Sequence, residues 1–474
     1  MLQKNIPNTF MNSSNAQTHW NVIVCGGGLS GVCAAAAAAR NGAKTLLLER
    51  DGSLGGTMTN QLVGPMMTFH AADRQVIGGL AQELVDQLVA LGASPGHILD
   101  TSDYCPTITP FDAETLKLVT MRMVSGAGAA ILYNTWITGV IKDGPAVRGV
   151  EVVNKGGRAV LTADVIIDCT GDGDVAALSG APFEVGRTGD ELVQPVSLMF
   201  KLANVDNAAL RAYTAAHPEE AGLSPRQAEA YLRQPLNKNT GFREKLRAYI
   251  RAGKIPIERE DILFFNTTYE DEVIVNTSRV AQVSPLDPWA MSAAENLARE
   301  QVFALFDFFR KEIPGFAHAR LAAVGSRLGV RESRRIVGDY TLTAEDIMSE
   351  RRFADAIACS AYPVDIHSLR PGEDENAAYP YHGQVYEVPY RCLLPLGVEQ
   401  LLVAGRCISA THEAQGSIRV SPNCMAFGQA AGTAALLSLR EECSPRQLDA
   451  GLLRSVLARQ GVIFADDRPG KAGH

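Results

Sequence analysis

Residues 26–31 read Gly26-Gly27-Gly28-Leu29-Ser30-Gly31, and an acid, Glu49, follows downstream. Glycines at this spacing suit a nucleotide diphosphate. Gly26 lets the chain turn sharply, Gly28 has no side chain to hold off a phosphate, and Gly31 lets the next element lie close. Glu49 can accept hydrogen bonds from both hydroxyls of a ribose, and its charge repels a 2′-phosphate. A second glycine pair, Gly55-Gly56 before Thr57, suggests backbone passing close to a long ligand.

The flanking residues supply the elements that such chemistry needs. Val22-Ile23-Val24-Cys25 is a short β-branched run and reads as a buried strand. The alanine run 34–39 reads as a helix, stopped by Asn41-Gly42. Residues 44–48 read as a second strand that ends at Glu49. The glycine turn therefore stands between a strand and a helix, with the acid at the tip of the second strand. That context raises it above a glycine-rich loop with no ligand.

In these three features together, Gly26 to Gly31, Glu49 and Gly55-Gly56, the chain resembles FAD-binding flavoproteins of the glutathione-reductase and fumarate-reductase type. The resemblance implies FAD, with its adenosine half on the first βαβ unit. Leu29, Ser30, Arg50 and Thr57 are counted with the cofactor site.

Further along, residues 58–70 mix Met, Gly, Pro and Thr and read as a loop lining a site. His70 in it reads first as a structural histidine. Residues 79–91 and 112–124 read as helices, the second capped by Asp112. Residues 131–133, 136–141, 149–153 and 159–161 read as strands of a β-meander feeding a returning strand, 164–169. Next comes Thr170-Gly171-Asp172-Gly173-Asp174. In the resembled flavoproteins such a turn lies near the pyrophosphate and ribose. Asp172 or Asp174 could cap the next helix or hold a ribitol hydroxyl. Calcium is the competing reading, but a full ion loop needs a further downstream carboxylate that is absent, so no metal is expected.

Residues 183–395 read as an inserted α+β substrate domain. It holds two polar sets. One is Ser326 to Arg335, whose arginines either clamp an anion or form a solvated helix face bridged to Glu332 and Asp339. The other is Tyr362, Asp365, His367, Tyr381, His382, Tyr386, Tyr390 and Arg391, suited to a substrate pocket. After a buried strand at 401–404 come Gly405, Arg406, His412, Glu413 and Arg419. Ser421-Pro422-Asn423-Cys424-Met425 then opens an alanine-rich helix, with Ser421 as cap. This Gly-Arg, His-Glu, Arg, Cys-Met ending resembles the FAD-dependent oxidoreductase family. The resemblance implies a helix whose positive end faces the flavin pyrimidine, and adds Gly405, Arg406, Asn423 and Met425 to the cofactor site.

At 474 residues and 46% hydrophobic, the chain can bury a large core in two or three domains. A net charge of -8 argues against nucleic acid. No apolar run reaches the ~18 residues of a membrane helix, and residues 1–20 carry no secretory signal. Nine scattered cysteines without C-x-x-C fit a reducing compartment, the cytoplasm.

The expected architecture is α/β. A Rossmann-like FAD-binding domain of parallel sheet plus β-meander is built from residues 20–182 and 396–440. The substrate domain, 183–395, is inserted as a cap; residues 1–19 form a flexible leader and 441–474 a C-terminal helix and polar tail. The expected function is that of a dehydrogenase or reductase moving a hydride between a small organic substrate and flavin N5, with a separate electron acceptor or donor. His412, His367 and His70, in that order, are the acid–base candidates. Arg419, Arg391 and Arg331 are the candidates for a substrate anion. The alternatives are a flavin monooxygenase or halogenase, and a binding module that has lost FAD. A homo-oligomer stays open.

Overall fold

The computed structural model describes residues 19–259, 261–370 and 378–465. The leader at 1–18 and the polar tail from 466 lie outside the described residues.

The first strand, His19–Cys25, lies between two parallel neighbours, Thr45–Leu48 and the second half of Gly157–Asp168. Leu401–Val403 pairs parallel on the far side of that second half. Both faces of the sheet are covered. Val22, Val24 and Leu47 point into one core, while Ile23, Leu46 and Leu48 point into another. A strand buried on both faces needs an uninterrupted apolar run, and the sequence has one.

Two expectations about strands are corrected. Ala130–Leu132 belongs to the parallel array beside Thr45–Leu48, not to the meander. The meander's third strand and the returning strand are one continuous strand, Gly157–Asp168. Its first half pairs antiparallel with Ala146–Asn154 and its second half parallel with the first strand. The meander thus extends the main sheet.

The alanine helix, Leu29–Arg40, packs along the late helix Ser421–Arg440. Their backbones touch. A Cβ on Gly428 would lie 2.0 Å from the Ser30 carbonyl oxygen, and one on Gly432 would lie 2.1 Å from that of Ala34. Only glycine permits that approach. The late helix starts one residue earlier than expected: Val420 is the cap, Ser421 is the first helical residue, and no side chain caps the end.

A second core lies under a five-stranded antiparallel sheet. Its strands are, in spatial order, Lys238–Gly241, Ile262–Asn266, Glu272–Val275, Phe200–Ala203 and Arg320–Val324. The helix Pro288–Glu312 covers it through Ala294, Ala298, Val302, Leu305 and Phe309, a stripe at helical spacing. Asp287 caps that helix, accepting from the Trp289 N–H at 2.8 Å. Phe353, Ile357, Tyr386 and Leu393 pack instead into the core of the parallel sheet, so residues 183–395 divide between two cores. Among the described residues no helix is long and apolar enough to cross a membrane.

Candidate active site

A cleft of about 880 Å³ runs between the two cores. Its outer end is the glycine turn. Gly26 has φ +103°, and a Cβ there would lie 2.4 Å from the Cys169 carbonyl oxygen. A Cβ on Gly31 would lie 1.8 Å from the carbonyl oxygen of Gly26. These two glycines serve packing, and Gly31 does not line the cleft. Gly28 differs: a Cβ there would project into open space, where Gly28, Leu29 and Ser30 line the cleft. Gly28 also occupies the helix cap without a side-chain bond, so the first N–H groups of the helix are available to an anion.

Glu49 is buried at the tip of its strand. Its Oε2 accepts from the Gly27 N–H at 2.6 Å and its Oε1 from the Asp51 N–H at 2.8 Å. Burial pushes its carboxyl up, against the pull of those two bonds. Each oxygen keeps a lone pair for a ribose hydroxyl. Gly55 donates its N–H to the Gly27 carbonyl at 2.9 Å, and a Cβ on Gly56 would lie 2.9 Å from Gly28 Cα. The glycine pair therefore lets two backbone segments touch beside the turn. Arg50, Gly56 and Thr57 line the cleft; Gly55 lies behind them.

The opposite wall carries Gly171, Asp172, Gly405 and Arg406. Arg406 donates Nε to the Gly171 carbonyl at 3.0 Å and Nη2 to Asp172 at 2.5 Å, and Ser333 donates to Asp172 at 2.7 Å. Burial would raise the Asp172 carboxyl; Arg406 and Ser333 outweigh it and hold it below the usual carboxylate value. Neither Asp172 nor Asp174 caps the short helix Asp174–Leu178. Thr170 and Asp168 do so, accepting from the Asp174 and Ala176 N–H groups at 2.9 Å each. Val420, Ser421 and Cys424 also line the cleft, so the uncapped positive end of the late helix opens onto it.

The inner end is a cluster around Asp365. Arg419 Nη2 donates to Asp365 Oδ2 at 2.8 Å, Tyr362 donates to the same oxygen at 3.3 Å, and His367 Nε2 lies 3.6 Å from it. Burial would raise the Asp365 carboxyl; His367 and Arg419 outweigh it and hold it well below the usual range. Burial and the charge of Arg331 push His367 down to about 4, so its imidazole is neutral at pH 7. The Tyr104 ring lies against Tyr362, centroids 6.0 Å apart, and Lys238 Nζ sits 4.2 Å from the Tyr104 centroid. Arg331, Tyr104, Lys238, Ser197 and Met199 line this end with them.

Of the acid–base candidates, only His367 reaches the cleft. His412 is buried, with Nδ1 2.8 Å from Glu332 Oε1. Glu332 also accepts from Arg335 at 2.5 Å and from the Gln194 N–H at 3.1 Å, so this is internal scaffolding. His70 sits behind the cleft, with Nδ1 3.2 Å from Thr107 Oγ1 and its ring against His97. Among the arginines, Arg331 and Arg419 line the cleft, whereas Arg391 is on the surface, paired with Asp355 at 2.8 Å. Asn423 is buried on Ser360 at 2.9 Å and Met425 lies in the core, so neither touches the cleft. The arginine run 327–335 is not a solvated helix face. Arg335 is buried, Arg327 pairs with Asp51, and Asp339 pairs with Arg446. Tyr386 and Tyr390 are buried away from the cleft, on Ser417 and the Pro445 carbonyl.

Tyr104, Lys238 and Ser197 were not foreseen. They are single polar residues in three distant segments, and no local spacing marks them. Among the described residues no group of three His, Cys, Asp or Glu could hold a metal ion.

The open space at Gly28, the carboxylate of Glu49 and two uncapped helix ends fit the diphosphate and ribose of FAD. Residues 21–457 match the family described as FAD dependent oxidoreductase. Among solved structures, the chain is similar to a geranylgeranyl bacteriochlorophyll reductase-like protein from Thermoplasma acidophilum, at 14% identity over 93% of this chain and 82% of that one, with TM-score 0.45. It is also similar to the p-nitrophenol 4-monooxygenase of Pseudomonas putida, at 13% identity over 94% and 86%, with TM-score 0.47. A myxobacterial chondrochloren halogenase matches at 13% identity over 94% and 79%, with TM-score 0.47. The chain belongs to the FAD-dependent oxidoreductase family, an FAD enzyme on a Rossmann-type fold.

Proposed function

We propose that this enzyme is a dehydrogenase or reductase exchanging a hydride with a small organic substrate at the inner end of the cleft. The observation that carries this reading is a neutral imidazole, His367, lining the same cleft as the glycine turn and oriented by an ionised Asp365. Bound FAD supplies the two-electron carrier, with N5 as the hydride position. The chain supplies the rest. Gly28 and the N–H groups after it hold the diphosphate, and Glu49 accepts from the ribose hydroxyls. Asp365 faces Nε2 of His367, which leaves Nδ1 as the proton acceptor for a substrate hydroxyl. Run in reverse, the same atom returns the proton. Arg419 keeps Asp365 ionised, and Arg419 and Tyr362 hold it in place.

The test is anaerobic. The yellow holoenzyme is mixed with hydroxy acids, amino acids and sugars, and the dithionite-reduced enzyme with enoates. One donor class should bleach the flavin, or one acceptor class should restore it. His367→Gln should slow that half-reaction by roughly a hundredfold or more. Turnover that requires both a nicotinamide reductant and oxygen, with no anaerobic half-reaction, would overturn the proposal in favour of oxygen chemistry.

A further inference from the structure

The arginines of the cleft divide into two kinds. Around the glycine turn Arg327 pairs with Asp51 at 2.7 Å and Arg406 with Asp172 at 2.5 Å, while Arg50 lies over the Trp136 ring, 5.4 Å from its centroid. At the inner end Arg419 has Asp365. Arg331 has no such carboxylate. Its Nη1 donates to the Pro195 carbonyl at 2.6 Å and to Ser197 Oγ at 2.8 Å. Among the described residues, Nε and Nη2 meet no protein acceptor and no carboxylate lies within ion-pair distance. Lys238, over the Tyr104 ring, likewise has no carboxylate within that distance.

Two half-buried cations with no carboxylate at ion-pair distance among the described residues are costly unless a ligand completes them. The open edge of Arg331 defines that ligand. Nε and Nη2 carry two parallel N–H groups, the donor spacing of a carboxylate. The walls beside it are apolar. Phe265 is the cross-strand partner of Lys238, and Met199 follows Ser197 by two residues; both line the cleft.

We propose that the inner end of the cleft is a site for an organic carboxylate, with the carboxylate on the free edge of Arg331, Lys238 contributing charge, and an apolar body against Met199 and Phe265. This names the substrate class for the hydride reading above and rests on it for the chemistry, though not for the binding.

The test reads binding, not turnover. Flavin difference spectra of the holoenzyme are recorded on titration with benzoate, acetate, benzamide, acetamide and inorganic phosphate. Benzoate should give a saturable change, acetate a weaker one and the amides none. Arg331→Met should weaken benzoate by roughly 30-fold or more, and Lys238→Met by less. Benzamide binding as well as benzoate, phosphate binding better than benzoate, or an unchanged benzoate Kd in Arg331→Met would overturn the site. Should Arg331→Met fail to retain FAD, Arg331→Lys and Lys238→Met decide, and an unchanged Kd in both sinks the proposal. The two proposals fail separately. Arg331-dependent benzoate binding with no anaerobic half-reaction leaves the site and removes the hydride reading.

Discussion

The two ends of the cleft use charge in opposite ways. At the glycine turn, Arg327 and Arg406 are each paired with an aspartate and Arg50 lies over the Trp136 ring, so the charge of the paired two is spent on holding loops together. On the reading proposed above, the diphosphate is left to backbone N–H groups and helix ends, which are rigid and need no side-chain ordering. At the inner end, Arg331 and Lys238 keep their charge for what enters. One end is a finished structure with a gap of fixed shape. The other is electrostatically incomplete.

This contrast can be broken in order of expected effect. The largest is at Gly28. Because a Cβ there meets nothing in the protein, Gly28→Val should fold with unchanged circular dichroism and thermal transition when both proteins are compared without FAD. The same change should cut FAD affinity about a hundredfold or more, read as lost yellow colour after gel filtration. Loss of the fold instead would show that the turn itself, not the ligand, sets this position.

The next effect separates paired from unpaired charge. Asp172→Ala leaves Arg406 without its partner and should cost about 2 kcal/mol in urea unfolding. Lys238→Met removes a cation with no carboxylate partner among the described residues and should change stability by less than about 1 kcal/mol, the size of its contact with the Tyr104 ring. Equal costs would erase the distinction between the two ends.

The smallest effect near neutral pH, growing only as acid is added, is titration of the inner end. His367 is held at about 4, below the ordinary histidine value of 6.5. The unfolded chain therefore binds this proton first. The stability contributed is full above pH 6.5 and is lost as pH falls toward about 4. His367→Gln should flatten that slope of stability against pH by up to about 3 kcal/mol across the window. An unchanged slope would place the acid sensitivity elsewhere, His97 being the other histidine held at about 4.

The sequence announced the outer end and concealed the inner one, for a physical reason. Gly26, Gly28, Gly31 and Glu49 belong to one βαβ unit, so the demands of turn, close approach and ribose contact are written within one stretch. The inner end draws Tyr104, Ser197, Lys238, Arg331, His367 and Arg419 from separated elements of both cores. His367, Arg331 and Arg419 were legible as residue types, but nothing local told them from His412, His70 and Arg391. What separates them is the company they keep. His412 meets Glu332 from another segment, and Arg391 meets Asp355 across the surface. The strand Gly157–Asp168 was hidden in the same way, because its partners change halfway along while its backbone does not.

The contact of Gly428 and Gly432 with Ser30 and Ala34 has a consequence for biosynthesis. The alanine helix leaves the ribosome nearly four hundred residues, by order of magnitude, before the helix that covers it. Until then the face that meets Gly428 and Gly432 is uncovered, and the strand Leu401–Val403 is also still to be made. A shortened chain lacking the late helix would leave that face bare and is a candidate for chaperone capture.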